Sequence, residues 1–395
     1  MPPPSAARDS LHVVHYIHKL REEQSGVVRS VLDLTQALAK YGCRVTVVTT
    51  DAGGTPPQAD AEYGPHVELV RLPRPLIGRI APEVGSRLAA IFRSASVAHF
   101  HTLWDPHNLE MAAAARRAGV PYIVTTHGML DDHAFRYKRI KKQLFLTLAG
   151  NRFLRNAYRL HCTAEGEKRQ VQSRVSGVPI AVIPLLFDVA RYTNLPGPQL
   201  AASTFDCLER PGPKVLFLSR LDPIKGPDVL IEAAARLRGK RDFQLVMAGP
   251  GEKGYVGRLQ ALVREHELES RTSFVGMVSG DLKLSLYQAC DLFVLPTMQE
   301  NFGMVFPESL ACGLPVVTTN QIDTLVELGE AGARLVPRNS SAFAEAIDQS
   351  LSDVGALKTL GQRGRAYVFK WLETEKVAQR YVSLYRAAAA GAGAV

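Results

Sequence analysis

No apolar run in the 395 residues approaches the roughly 18 positions that a bilayer-spanning helix needs, so a membrane span is excluded from the expectation. Cysteine is scarce: Cys43, Cys162, Cys207, Cys290 and Cys312 lie far apart, make an odd total and form no CxxC pair. That pattern excludes a disulfide framework and a thiolate zinc site, and fits a reducing compartment. Aromatic residues are only 7% and are not interleaved with the basic ones, which argues against nucleic acid as a partner. No D-x-D triplet occurs, so no metal-bridged diphosphate is expected, and no short repeat marks a solenoid. The opening MPPPSAARDS lacks the charged-then-apolar build of a secretory signal. The expected location is cytoplasmic, with room for a peripheral place on the inner face of the plasma membrane.

Hydrophobic residues make up 46% and charged ones 22%, enough to build more than one core. The net charge of +9 suggests an anionic partner: nucleic acid, anionic lipid or a phosphorylated small molecule. Short β-branched runs alternate with helical stretches from Leu11 to about Ile183, and the pattern restarts at Val215 after a Pro- and Gly-rich loop over 192–213. Near-continuous apolar strands between helices predict parallel sheets covered on both faces. The expected fold class is therefore α/β, with two Rossmann-like doubly wound domains in tandem. Ligands of such sheets sit at the carboxyl ends of the strands.

Several segments carry chemistry. In Leu295–Val317, Glu300 and Glu308 bracket a loop and a helix start, where carboxylates can hold sugar hydroxyls by charged hydrogen bonds: Glu300 a sugar, Glu308 a ribose. The plain alternative is a solvated Glu300 and a Glu308 that complements the helix dipole. In Phe217–Asp228, Arg220 and Lys225 lie at a strand-to-helix turn and can clamp a diphosphate and stabilise a leaving nucleotide. The G-x-G-x-x-G of Gly249, Gly251 and Gly254 has the form of a dinucleotide fingerprint, but the next strand ends in Gly276 with no acid beside it. His127 ends a β-branched strand beside Gly128, and Ser25-Gly26 follows the first strand where backbone can approach a ligand. His99 and His101 share a strand face, but no third ligand is evident and no metal is expected; His101 is expected near the acceptor pocket.

Together these segments resemble glycosyltransferase family 4, the retaining nucleotide-sugar transferases of GT-B fold. The carrying motifs are E-N-F-G-M-V-F-P-E at Glu300–Glu308, S-R-L-D-P-I-K-G at Ser219–Gly226, and the G-x-G and F-V-G turns. Asn301 and Ser219 stand where the family commonly has Gly, and Ser25 replaces the first of two glycines. The resemblance implies two facing domains with an interdomain cleft: residues 1–190 on the acceptor side, and 191–368 holding the nucleotide sugar. A helix over 369–388 is expected to return to the first. It implies catalytic roles for His127, Arg220, Lys225 and Glu300. Donor-binding roles follow for Ser25, Gly26, Gly249, Gly251, Val275, Gly276, Asn301, Phe302, Gly303, Met304, Val305 and Glu308. The implied reaction moves a sugar, with retention, from a nucleoside-diphosphate sugar to an acceptor hydroxyl in exopolysaccharide, lipopolysaccharide or glycolipid assembly, without a cofactor or metal. A nucleotide-sugar 2-epimerase and a non-catalytic membrane-docked subunit are the alternatives.

One stretch concentrates the positive charge. His133–Ala164 has no acid, and Arg136, Lys138, Arg139, Lys141, Lys142, Arg152, Arg155 and Arg159 contribute +8. With Leu144, Phe145, Leu146, Leu148, Phe153 and Leu154 it predicts an amphipathic helix over 136–159, able to lie on an anionic bilayer or simply to pack on a core.

Overall fold

A computed structural model describes residues 11–18, 20, 26–50, 67–73 and 82–392. Their contacts divide into two units, Met1–Phe187 with Thr374–Val395, and Asp188–Glu373. Each is built on one parallel sheet.

In the first unit seven strands, β1 (His12–Tyr16), β2 (Arg44–Thr49), β3 (Val67–Arg71), β4 (Val97–His101), β5 (Tyr122–Thr125), β6 (Arg159–Cys162) and β7 (Ile180–Val182), pair in the order β3-β2-β1-β4-β5-β6-β7. β1, β4 and β5 are buried along their whole length, so the histidines of β1 and β4, His12, His15, His99 and His101, lie inside the sheet with their apolar neighbours. Strand order reverses between β1 and β4, and the crevice beyond that reversal is where doubly wound sheets bind ligands. Helix Thr374–Ala392 covers one face, burying Val377, Tyr381 and Tyr385 against Val13, Val45, Val97 and Ile123.

The second unit holds β8 (Lys214–Leu218), β9 (Gln244–Ala248), β10 (Thr272–Gly276), β11 (Leu292–Leu295), β12 (Val316–Thr319) and β13 (Arg334–Val336) in the order β10-β9-β8-β11-β12-β13. Its reversal lies between β8 and β11. Phe217, Phe243, Phe293 and Phe306 are fully buried, and burial of each such side chain is worth about 1.5–3 kcal/mol.

Three expectations are corrected. The helix expected over 369–388 is two helices: Val354–Trp371 ends in the second unit, and a new helix starts at Thr374, whose hydroxyl donates to the Phe187 carbonyl at 3.2 Å. Leu372, fully buried, occupies the break. The basic helix over 136–159 is broken into Asp132–Arg136, Arg139–Phe145, a π-helical turn Leu146–Gly150 and Asn151–Arg155, because Lys138 takes a left-handed φ of 56° and β6 begins at Arg159. The 192–213 loop contains a helix, Gln199–Thr204. Tertiary contacts rather than propensity hold it: the Ala201 amide donates to Ser285 Oγ at 2.8 Å and the Gly197 amide to Gln288 Oε1 at 2.8 Å.

Candidate active site

In the second unit the loops after β8 and β11, the two strands at the reversal, are laced together by one carbonyl. Ile224 O accepts from the Met298 amide at 2.6 Å and the Thr297 hydroxyl at 3.2 Å. This lacing brings Lys225 to Glu300, and Lys225 Nζ donates to Glu300 Oε2 with both side chains mostly buried. Arg220, on the same turn, is exposed, with Asp222 Oδ2 3.9 Å away. Asn301 donates from Nδ2 to Asp323 Oδ2 at 3.0 Å, and the Asp323 amide donates to the Glu300 carbonyl at 2.9 Å. The asparagine therefore ties the Glu300 loop to the loop after β12.

Gly303 has a φ of 65°, and a Cβ there would meet Glu300 Cγ at 2.7 Å and the Phe306 ring at 2.6 Å. The glycine keeps Glu300 close to the helix that follows. Phe302 is buried against Trp371, with ring centroids 5.5 Å apart. The next helix is Val305–Ala311, with Pro307 in its first turn. Met304 precedes it, half-buried like Val305. Glu308 on this helix accepts from Lys283 Nζ at 2.8 Å and from the Tyr287 hydroxyl at 3.1 Å. Burial, reinforced by Glu308, pushes the Tyr287 phenol well above its usual range, so it remains a donor.

The glycine turn after β9 lies beside the same reversal. The Gly249 amide donates to the Gly276 carbonyl at 2.7 Å and the Leu221 amide to the Pro250 carbonyl at 2.7 Å. Gly249 has a φ of 132°, and any Cβ would strike the Ser219 carbonyl oxygen. Gly251 forms a bridge with Leu221. β10 slips register at Val275, between Phe274 and Gly276. Such a bulge re-aims the backbone next to the turn.

His127 and Gly26 belong to the first unit, and Ser25 lies outside the described residues. Gly26 opens the helix Gly26–Lys40 and is exposed. His127 follows β5 with a left-handed φ of 49°, uncommon for a residue with a side chain. Glu167, fully buried, holds this turn: Oε1 accepts from Thr126 Oγ1 and the Gly128 amide, both at 2.7 Å, while Oε2 accepts from the Thr163 amide at 2.7 Å and its hydroxyl at 3.0 Å. Burial opposes its charge, but the hydrogen bonds from Thr163, Gly128 and Thr126 outweigh it and hold the carboxyl below the usual range.

The expectation that His99 and His101 lack a neighbouring third ligand is corrected. His15 joins them, and one ligand atom from each lies within 4.8 Å of the others. A second such group, His18, Asp105 and His107, stands beyond the reversal between β1 and β4. The rings hydrogen-bond nearby groups: His99 spans Tyr385 and Thr125, and His107 Nδ1 donates to Asp105 at 2.9 Å. His101 is buried between His15 and His127 rather than lining open space. Lys283, Tyr287, Glu167 and His15 were not singled out from the sequence. Lys283 and Tyr287 sit four apart on helix Gly280–Ala289, a shared face that points to a partner only once β11 has been placed beside it.

Two parallel doubly wound sheets with turns of this kind define the class, and solved structures share it. The sucrose-phosphate synthase from Thermosynechococcus elongatus superposes with a TM-score of 0.77 at 23% identity, over 96% of this chain and 100% of that one. HepE of Anabaena in complex with UDP-glucose gives 0.77 at 20% identity, over 95% and 100%. The family described as Glycosyl transferases group 1 matches residues 208–367, and the Glycosyltransferase Family 4 description matches residues 24–191. The D-inositol 3-phosphate glycosyltransferase of Salinispora tropica is 28% identical over 379 residues, 88% of this chain and 78% of that protein. The chain belongs to the group 1, family 4 glycosyltransferases, enzymes that transfer a sugar from a nucleotide sugar. That assignment displaces the epimerase and the non-catalytic subunit.

Proposed function

We propose that the chain is a retaining transferase that moves a sugar from a nucleoside diphosphate to an acceptor hydroxyl. The observation that carries this reading is the Lys225–Glu300 pair at the reversal of the second sheet, flanked by Glu308 in its Lys283–Tyr287 clasp. Glu300 accepts from sugar hydroxyls, Glu308 from the ribose, and the glycine turn with Val275–Gly276 surrounds the nucleotide. Arg220 and Lys225 take up the charge that develops on the leaving diphosphate, which accepts the proton of the incoming hydroxyl on the same face. His127 contacts the transferred sugar. HepE, a fold neighbour, holds UDP-glucose, so UDP-sugars are the first donors to try. Loss of one such charge-stabilising donor costs about 10²–10³ in kcat. Lys225→Ala should therefore lower transfer at least about 100-fold; transfer at the wild-type rate contradicts the assignment.

A second reading concerns where the enzyme works: in exopolysaccharide, lipopolysaccharide or glycolipid assembly at an anionic membrane. Of the apolar residues in the basic stretch, Leu146, Phe153 and Leu154 are buried in the core. Tyr137, Ile140, Leu144 and Leu148 are exposed, Ile140 by 84% and Leu148 by 74%. Ile140 and Leu144 lie four apart on helix Arg139–Phe145 and Leu148 follows on the π-helical turn, with exposed Arg136, Lys138, Arg139 and Lys141 close by in the chain. No helix among the described residues is long and apolar enough to cross a membrane. Sedimentation with phosphatidylglycerol vesicles should remove wild-type protein from solution and leave an Ile140→Ser, Leu144→Ser, Leu148→Ser variant behind. Equal binding of the two, or none by the wild type, refutes membrane docking through this face.

A further inference from the structure

Two files of hydrogen-bonded rings run through the first unit, and they differ in one respect. In the first, His161 Nε2 faces the Ile183 carbonyl at 2.8 Å, and a carbonyl only accepts, so this nitrogen carries the proton. His161 Nδ1 is then the acceptor for the Thr125 hydroxyl at 2.7 Å. Thr125 Oγ1 in turn accepts from His99 Nε2 at 2.6 Å, and His99 Nδ1 accepts from the Tyr385 hydroxyl at 2.7 Å. One backbone carbonyl fixes the direction of every proton in this file.

The second file has no such anchor. His127 Nε2 meets His101 Nδ1 at 3.2 Å, and His101 Nε2 meets His15 Nδ1 at 3.0 Å. The two outer nitrogens, His127 Nδ1 and His15 Nε2, are buried with no hydrogen-bond partner among the described residues. Burial keeps the rings neutral: it lowers His15 to about 3, and lowers His101 and His127 below the usual range. A neutral imidazole has one proton, so only two arrangements satisfy both contacts. Either all three rings carry it on Nε2, and His127 offers a lone pair at Nδ1, or all three carry it on Nδ1, and His127 offers an N–H there.

We propose that His101 and His15 are positioning residues for His127: the three rings share one tautomer, and through it they fix the His127 ring on the turn after β5. The role in catalysis rests on the proposed contact of His127 with the donor sugar; the shared tautomer stands on the geometry alone.

Histidine-selective 15N labelling tests the file in the donor-free protein. The expected spectrum shows His127, His101 and His15 in the same tautomer, in equal proportions if both arrangements are populated, and His99 and His161 fixed as Nε2–H. Different tautomers at His127 and His15 overturn the proposal. Kinetics then separate positioning from packing. His101→Asn places a carboxamide where Nδ1 stood and keeps the bond to His127. His101→Gln places it where Nε2 stood and loses that bond, as does His101→Phe. With folding checked by circular dichroism, Asn should retain kcat within about 10-fold of the wild type while Gln and Phe lose at least ten times more, with the donor KM little changed. Equal losses in all three overturn positioning. A wild type silent with every nucleotide sugar contradicts the transferase reading instead, and the spectrum still decides the file.

Discussion

Lowering the pH should unfold the first unit well before the second. The first unit contains ten of the 11 histidines; His15, His99, His101 and His161 are buried in one cluster, with half-buried His127 against His101. Burial lowers all five, His15 to about 3, so the folded rings stay neutral through mildly acid pH. Once unfolded, the same rings take up protons near pH 6.5. The unfolded state thus binds more protons as pH falls, and stability is lost from about pH 6.5 downward. Between pH 7.5 and 5.5 the loss is about 1.4 kcal/mol per ring, or about 7 kcal/mol for the cluster taken as independent groups, against a usual total of about 5–15 kcal/mol. At a urea slope of about 1–3 kcal/mol/M this is a midpoint shift of about 2 M or more. The chain has one tryptophan per unit: Trp104, packed on Phe135 and Phe145, and Trp371, packed on Phe302. Trp371→Phe and Trp104→Phe variants therefore let fluorescence report each unit separately. The Trp104 midpoint should fall by about 2 M while the Trp371 midpoint moves by less than about 0.5 M, since the second unit has only His266. Equal midpoints for Trp104 at the two pH values would refute the reasoning.

Other outcomes follow from the same geometry. Glu167→Gln turns an amide NH2 toward donors that now meet carboxylate oxygens, and urea unfolding should register a loss of about 2–4 kcal/mol. A small loss, under about 0.5 kcal/mol, would mean that the turn at His127 is held otherwise. Gly249→Ala must displace the Ser219 carbonyl, and should lower thermal stability by about 2 kcal/mol or more together with donor binding; an unchanged melting temperature contradicts the close approach. Tyr287→Phe removes one of the two donors clasping Glu308 and should raise the donor KM about 5- to 10-fold, a loss of roughly 1 kcal/mol of binding; an unchanged KM shows that the clasp does not position Glu308.

The sheets were legible in the sequence because buried parallel strands are short, β-branched and bounded by helix caps. Arg44–Thr49 (RVTVVT) and Val316–Thr319 (VVTT) are such runs. What failed depends on tertiary contact: helix Gln199–Thr204 is held by Ser285 and Gln288, and the break in the basic stretch by a left-handed Lys138. The same division runs through the site. Lys225, Glu300 and Glu308 lie in spaced motifs, whereas their partners Lys283 and Tyr287 are set by which strands are neighbours. The histidine file was invisible because His15 stands on β1, His101 on β4 and His127 on the turn after β5, with up to 86 residues between successive contacts. Only the order β1-β4-β5 puts them side by side.

The most direct measurement of the central claim is sugar transfer itself: wild type and Lys225→Ala, with UDP-, GDP- and ADP-sugars and a panel of hydroxyl acceptors, followed by nuclear magnetic resonance of the product's anomeric centre. The account predicts product from at least one donor with the anomeric configuration of that donor, and at least a 100-fold loss in the variant, the size expected when one charge-stabilising group is removed. An inverted product, or full activity without Lys225, would contradict it.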